Sequence, residues 1–99
     1  MKLHRYVKMT FRPEEVDTFL SVFEESKQKI RAFPGCLSLQ LIRNMEEPSI
    51  LCTSSIWENA QCLENYRNSE LFAETWKKTK ILFAEKAKAQ SYQLLEWLD

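Results

Sequence analysis

Apolar residues in this chain follow two different spacings, and the order in which those spacings alternate is the strongest constraint on its fold. A period of two is typical of β-strands, and a period near 3.6 is typical of helices. Strand periodicity predicts four segments, at 3–11, 36–44, 50–57 and 91–98. Helical periodicity predicts one helix over 13–31 and a second helical region, split in two, over 59–83.

Residues with well-understood preferences for helix ends support these boundaries. Pro13 suits the first turn of a helix, where its missing N–H has no intrahelical partner. Asn59 and Ser69 are good N-caps for the two parts of the second helical region. Gly35, the only glycine, lies in Phe33-Pro34-Gly35, a sequence that ends the first helix and turns the chain into the next strand.

The predicted order is therefore β-α-β-β-α-β, which indicates an α+β fold of the ferredoxin-like type. Such a fold has a four-stranded antiparallel sheet with helices on one face only, and residues 1–99 are predicted to form one domain. The opposite sheet face carries uncharged side chains such as Tyr6 and Ile42. Because an apolar face is usually covered, we expect two copies to pair sheet against sheet in a homodimer.

Charge and cysteine content exclude several classes of function. Lys plus Arg and Asp plus Glu both number 14, which argues against nucleic-acid binding and against attraction to an anionic membrane. No apolar stretch approaches the roughly 18 residues of a membrane span, and residues 1–11 lack the apolar core of a signal peptide. Three cysteines without a CxxC spacing fit neither a disulfide framework nor a zinc site, so a cytoplasmic location is expected.

Familiar catalytic and metal-binding arrangements are absent from the sequence. There is no metal-ligand cluster, no nucleophile beside a base and no phosphate-binding loop. His4 is the single histidine, and we interpret it as a surface or interface residue rather than a general base. Cys36, Cys52 and Cys62 are interpreted as small apolar residues because none has a cationic sequence environment.

The most distinctive feature is a concentration of aromatic residues at one predicted junction of helix and sheet. Such rings can line a slot for a flat aromatic ligand, although core packing is the simpler role for each of them. Asn59 and Arg67 are candidates for polar contacts at the mouth, but Asn59 is already explained as a helix cap. The candidate wall residues are Trp57, Tyr66, Phe72 and Trp76, with Phe23 from the first helix.

This segment resembles the central motif of antibiotic biosynthesis monooxygenase domains. The resemblance rests on Trp57-Glu58-Asn59-Ala60, Leu63, Tyr66-Arg67, Ser69, Leu71-Phe72 and Trp76, together with the turn Phe33-Pro34-Gly35-Cys36. It implies a dimeric α/β barrel with a ligand pocket in each subunit. It further implies oxidation of a phenolic or quinol-type aromatic by O₂ without a metal or flavin cofactor, with Tyr66 and Trp76 as catalytic residues.

Two other branches of this superfamily are disfavoured by the residues present. The haem-degrading branch uses an Asn, a Trp and an iron-ligating His where this chain has Val7, Tyr66 and Trp76. The sugar-isomerising relatives use pocket histidines that this chain also lacks. A non-catalytic dimeric binding or stress-response module stays open, because the motif segment holds no obvious acid–base residue.

Overall fold

The computed structural model describes residues 1–98 and has the β-α-β-β-α-β order that the sequence predicts. A short 3₁₀ turn at Pro13–Glu15 leads into the first helix, so the helical region begins at the predicted proline. The elements are β1 (Leu3–Thr10), α1 (Val16–Arg31), β2 (Cys36–Arg43), β3 (Ile50–Trp57), α2 (Ala60–Arg67), α3 (Glu70–Lys80) and β4 (Lys88–Gln93).

The four strands form one antiparallel sheet in the order β2-β3-β1-β4, and the helices pack on one of its faces. This confirms the predicted α+β, ferredoxin-like fold. The helix-covered inner face carries Val7 and Met9 of β1, as the alternation predicted. Every strand neighbours β1 or β3, so these two central strands position the residues beneath the helices. No helix within residues 1–98 has the length and apolar character needed to cross a membrane.

The final strand differs from its prediction. It spans Lys88–Gln93 rather than 91–98, because β4 pairs with β1 and β1 begins at Leu3, opposite Gln93. Leu94 donates one more backbone hydrogen bond, to the Lys2 carbonyl, and pairing then stops. The apolar alternation at 94–98 is therefore not a strand, and Leu95 is 82% exposed. All of β4 is exposed, which explains why its own residues carry no clear hydrophobic pattern.

The predicted apolar stripe of the last helix is also shorter than expected. The helix α3 ends at Lys80, and Phe83 lies beyond it, where it forms an isolated β-bridge with Phe11. Phe83 still reaches the core, since its ring lies 5.3 Å from that of Phe11. A turn rather than a continued helix thus carries this side chain inward.

The core is divided into two clusters on the inner face of the sheet. Trp57 is the largest side chain of the second cluster and is only 1% exposed. Its indole Nε1 donates to Ser55 Oγ at 2.9 Å, so its one polar atom is satisfied. The first cluster contains Met9, Phe11, Phe19, Leu51 and Leu82, and the second contains Leu3, Cys36, Trp57 and Leu63.

The turn before β2 packs unusually closely against α2. Gly35 adopts φ = +89°, a left-handed conformation that favours glycine. Its carbonyl accepts a hydrogen bond from the Glu58 N–H at 2.8 Å, and the Cys36 N–H donates to the Phe33 carbonyl at 2.9 Å. A bulge follows between Cys36 and Ser38. This arrangement joins the end of β3 to the start of β2 directly under α2.

The outer face of the sheet is formed by side chains that point away from the helices, including His4, Tyr6 and Lys8 of β1. Across from them, Ser54 hydrogen-bonds the His4 ring. Ile42 and Tyr92 on the flanking strands are 43% and 53% exposed. Ile42 and Tyr92 thus leave large apolar side chains exposed on this face, and its pairing with a second copy stays a prediction.

Candidate functional site

A cavity of about 300 Å³ lies between the sheet and the helices, where the two core clusters meet. Met9 and Phe19 of the first cluster form one side of it, and Trp57 and Leu63 of the second form the other. Its lining is mostly apolar, as is usual for small-molecule sites. The volume falls at the lower end of the range that holds small organic ligands, roughly 300–1,000 Å³.

Four aromatic rings form an unbroken wall along this cavity. Trp57 stacks on Tyr66 with ring centroids 5.1 Å apart and an interplanar angle of 26°. Tyr66 meets the edge of Phe72 at 5.3 Å, and Phe72 stacks on Trp76 at 5.8 Å. These separations are those of favourable aromatic pairs. Two stacked pairs, Trp57–Tyr66 and Phe72–Trp76, meet almost at right angles, because the Tyr66 and Phe72 rings are inclined by 80°. The rings therefore support one another and form a stiff, angled surface.

The junction between α2 and α3 holds this wall in place. Ser69 is the N-cap of α3: its hydroxyl accepts from the Phe72 N–H at 3.1 Å and donates to the Tyr66 carbonyl at 2.6 Å. The Ser69 side chain thus connects the end of α2 to the start of α3. This hydrogen-bonded connection fixes the angle at which Tyr66 meets Phe72.

Six of the seven residues singled out from the sequence line the cavity. The exception is Asn59, whose Oδ1 accepts from the Cys62 N–H at 2.9 Å and so caps α2. Asn59 therefore acts as the N-cap of α2 and lies outside the cavity lining. The residues that the fold brings together are Phe23, Trp57, Tyr66, Arg67, Phe72 and Trp76.

Tyr66 is the most perturbed titratable group of the site. Burial raises the pKa of Tyr66 to about 12, with a smaller contribution from Cys36 nearby. The hydroxyl is therefore neutral and able to donate a hydrogen bond throughout the physiological range. No fully buried polar side-chain atom within residues 1–98 lacks a hydrogen-bond partner. Tyr66 stacks on Trp57 and lines the cavity, so its hydroxyl adds a neutral polar group to a mostly apolar lining.

Arg5 is a residue of the site that the sequence reasoning missed. Arg5 lines the cavity, and its Nη1 donates to Ser91 Oγ at 2.9 Å. Burial, and then the neighbouring Arg67, lower the pKa of Arg5, whereas Glu64 acts in the opposite direction. The sequence did contain a signal, since Arg5 interrupts the apolar face of the first strand. A charged side chain on the inner face of a sheet loses hydration, which costs free energy unless the charge is compensated. In this protein the position of Arg5 faces the cavity.

The remaining polar groups of the cavity are hydroxyls. Ser55 already accepts from Trp57, and Thr79 donates to the Thr75 carbonyl at 2.7 Å. Among the described residues no carboxylate, histidine or cysteine lines the cavity. Nor do residues 1–98 contain a group of three His, Cys, Asp or Glu side chains placed to hold a metal ion. The site can bind, orient and donate hydrogen bonds, but it offers no strong base.

Comparison with known families identifies one that matches most of this chain. The family model described as antibiotic biosynthesis monooxygenase matches residues 3–78. A comparison with curated proteins gives no match.

Solved structures share the fold at low sequence identity. A conserved protein from Methanosarcina mazei Go1 superposes with a TM-score of 0.90 at 18% identity, over 94% of this chain and 92% of the other. Rv0793 from Mycobacterium tuberculosis gives 0.91 at 14% identity over the whole of both chains. The structure of an antibiotic biosynthesis monooxygenase superposes with a TM-score of 0.88 at 18% identity, over 95% of this chain and 99% of the other. At such identities these similarities describe the architecture alone.

Proposed function

The chain belongs to the antibiotic biosynthesis monooxygenase family, and on this basis we propose that it is a monooxygenase that binds a small aromatic molecule in its cavity and oxidises it with O₂. The observation that carries the proposal is the unbroken wall of Trp57, Tyr66, Phe72 and Trp76 with a neutral phenolic donor in its centre. A stiff aromatic surface favours a flat, ring-shaped ligand because stacking adds to simple burial.

Electron balance narrows the substrate class for a reaction that uses no bound cofactor. A quinol plus O₂ gives a hydroxyquinone plus water, and an anthrone-type CH₂ plus O₂ gives a C=O plus water. In both reactions the substrate supplies all four electrons that reduce O₂, so no external reductant is required. A simple phenol hydroxylated to a catechol would need two more electrons. We therefore propose a quinol or anthrone-type substrate whose deprotonated form donates the first electron to O₂.

In this reaction the protein acts through position and polarity. The Trp57–Tyr66 and Phe72–Trp76 pairs hold the substrate ring, and the Tyr66 hydroxyl donates to the substrate oxygen on which negative charge is present. The apolar lining keeps water away from the radical and peroxide stages that follow the first electron transfer. A second candidate, a non-catalytic binding module, is favoured by the lack of a carboxylate, histidine or cysteine among the described residues lining the cavity.

The test is oxygen consumption by metal-stripped protein with a panel of anthrones, hydroquinones and catechols, each against a blank without protein. We expect uptake that survives a chelator, with one O₂ consumed per substrate. Catalase should not return oxygen, because the second oxygen atom leaves as water rather than as hydrogen peroxide. Thermal stabilisation by some panel members without any catalysed uptake would instead establish the binding module.

We further propose that the protein is a homodimer, with the outer faces of two sheets packed together. Tyr92 and Ile42 are large, half-exposed side chains on this face, and covering them would be favourable. Sedimentation equilibrium at micromolar concentration is expected to give twice the mass of one chain. Ile42→Lys should shift the distribution toward single chains, because it buries a charge in the contact. A wild-type monomer at these concentrations would refute the sheet-to-sheet arrangement.

A further inference from the structure

Two arginines from distant parts of the chain line the cavity together. Arg5 lies on the inner face of β1, paired with Ser55 of β3 and Ser91 of β4 in the sheet. Arg67 is the last residue of α2 and follows Tyr66 directly. Both residues line the cavity, and Arg67 is close enough for its charge to help lower the pKa of Arg5. The aromatic wall therefore has a cationic end.

The acidic side chain nearby does not neutralise both of these charges. Glu64 Oε2 lies 3.4 Å from Arg67 Nη1, and its other oxygen accepts from the Asn68 amide at 3.3 Å. Arg5 donates instead to the neutral Ser91 hydroxyl. None of the ion pairs among residues 1–98 includes Arg5. Two cations and one carboxylate leave a net charge of +1 at this end of the slot.

An unpaired guanidinium that is partly withdrawn from water needs a partner to offset the lost hydration. The positive charge of Arg67 also repels that of Arg5. An anion placed between them would offset both the lost hydration and this repulsion. A planar guanidinium donates well to carboxylate and phenolate oxygens. The neighbouring Tyr66 and Trp57 rings would hold the attached ring system at the same time.

We propose that Arg5 and Arg67 together bind an anionic oxygen carried by the aromatic ligand, so that the ligand class is ring compounds with a carboxylate or phenolate group. This inference rests on the proposed aromatic ligand and deepens it. A cationic end would favour the deprotonated form of a bound quinol, because an opposite charge within about 4–6 Å stabilises an anion. That form is the one able to donate an electron to O₂.

The experiment compares two ligands of equal shape and different charge, 2-naphthoate and 2-naphthamide, by calorimetry at neutral pH and low salt. Binding rather than turnover is measured, so the result does not depend on catalysis. Arg5→Gln and Arg67→Gln remove one charge each, and Arg43→Gln is the matched control because Arg43 does not line the cavity. Glu64→Gln removes the competing carboxylate. Thermal unfolding of each variant establishes that it is folded.

We expect wild-type protein to bind naphthoate at least about tenfold more tightly than naphthamide, as for hydrogen bonds to a charged group. This preference should fall to within about twofold in either cavity variant and persist in Arg43→Gln. It should increase in Glu64→Gln, an opposite change that a purely structural role for the arginines would not produce.

Equal binding of the two ligands by wild-type protein would overturn the anion site while leaving the proposed aromatic ligand intact. A preference that survives in both Arg5→Gln and Arg67→Gln would also overturn it, since the charge would then be recognised elsewhere. If neither ligand binds, the aromatic-ligand proposal fails as well, and the anion site fails with it.

Discussion

Tyr66→Phe is expected to lower kcat for the proposed oxidation about 100-fold, the usual effect of removing one preorganised hydrogen-bond donor to a developing anion. The change removes a single hydroxyl and keeps the ring that stacks on Trp57 and meets Phe72. Cavity shape and substrate stacking should therefore be preserved, and KM should change much less than kcat. Full activity in this variant would show that the Tyr66 hydroxyl is not part of the reaction.

The raised pKa of Tyr66 supplies two controls on this result. With a pKa of about 12 the group stays protonated between about pH 6 and pH 9, so the loss of activity should not vary over that range. The pKa of Tyr66 in the folded protein exceeds the usual value of about 10, so ionising this tyrosine costs more in the folded state than in the unfolded state. The free energy of unfolding is therefore fully retained below about pH 10 and falls as pH rises from 10 toward 12. Tyr66→Phe should remove this alkaline loss of stability. Tyr92→Phe, outside the cavity but on the sheet face proposed to pair with a second copy, is the control, with its oligomeric state measured alongside.

Gly35→Ala is expected to reduce the free energy of unfolding by roughly 3 kcal/mol or more, through a strained backbone and a steric overlap together. At φ = +89° an alanine is already unfavourable. Its Cβ would also lie 2.4 Å from Cys62 Cβ and 2.5 Å from Cys62 Sγ. Rotation about the Cys62 Cα–Cβ bond can move Sγ away but cannot move Cβ, which is fixed to the backbone of α2. The helix must shift, and Tyr66 shifts with it.

Thermal unfolding should show the melting temperature of Gly35→Ala lowered by an amount on the order of 15 °C. Cys62→Ala is the informative companion, because it removes Sγ but leaves Cβ in place. Combined with Gly35→Ala it should restore only part of the stability, since the 2.4 Å contact remains. A melting temperature within about two degrees of wild type for Gly35→Ala would refute the close packing of this turn against α2.

Local sequence patterns predicted the elements well wherever one face of a strand or helix is buried. The inner-face alternation of β1 and the capping of α2 by Asn59 are examples, since burial and capping leave direct signatures in residue type. The pattern failed at β4, which is fully exposed and therefore under little hydrophobic constraint. An accidental alternation of apolar residues at 94–98 suggested a strand that has no pairing partner beyond Leu3.

The sequence by itself determined the order of the elements, the caps that begin the helices and the identity of the aromatic residues gathered on α2, α3 and β3. These properties depend on neighbours within a few positions, which the spacing of residue types records. Only the tertiary structure decided that Arg5 and Arg67, 62 positions apart in the chain, border one cavity, and that Asn59 does not. Pairing of strands distant in sequence and the angle between α2 and α3 create that proximity. No local pattern encodes it, because the side chains concerned meet only across the packed interior.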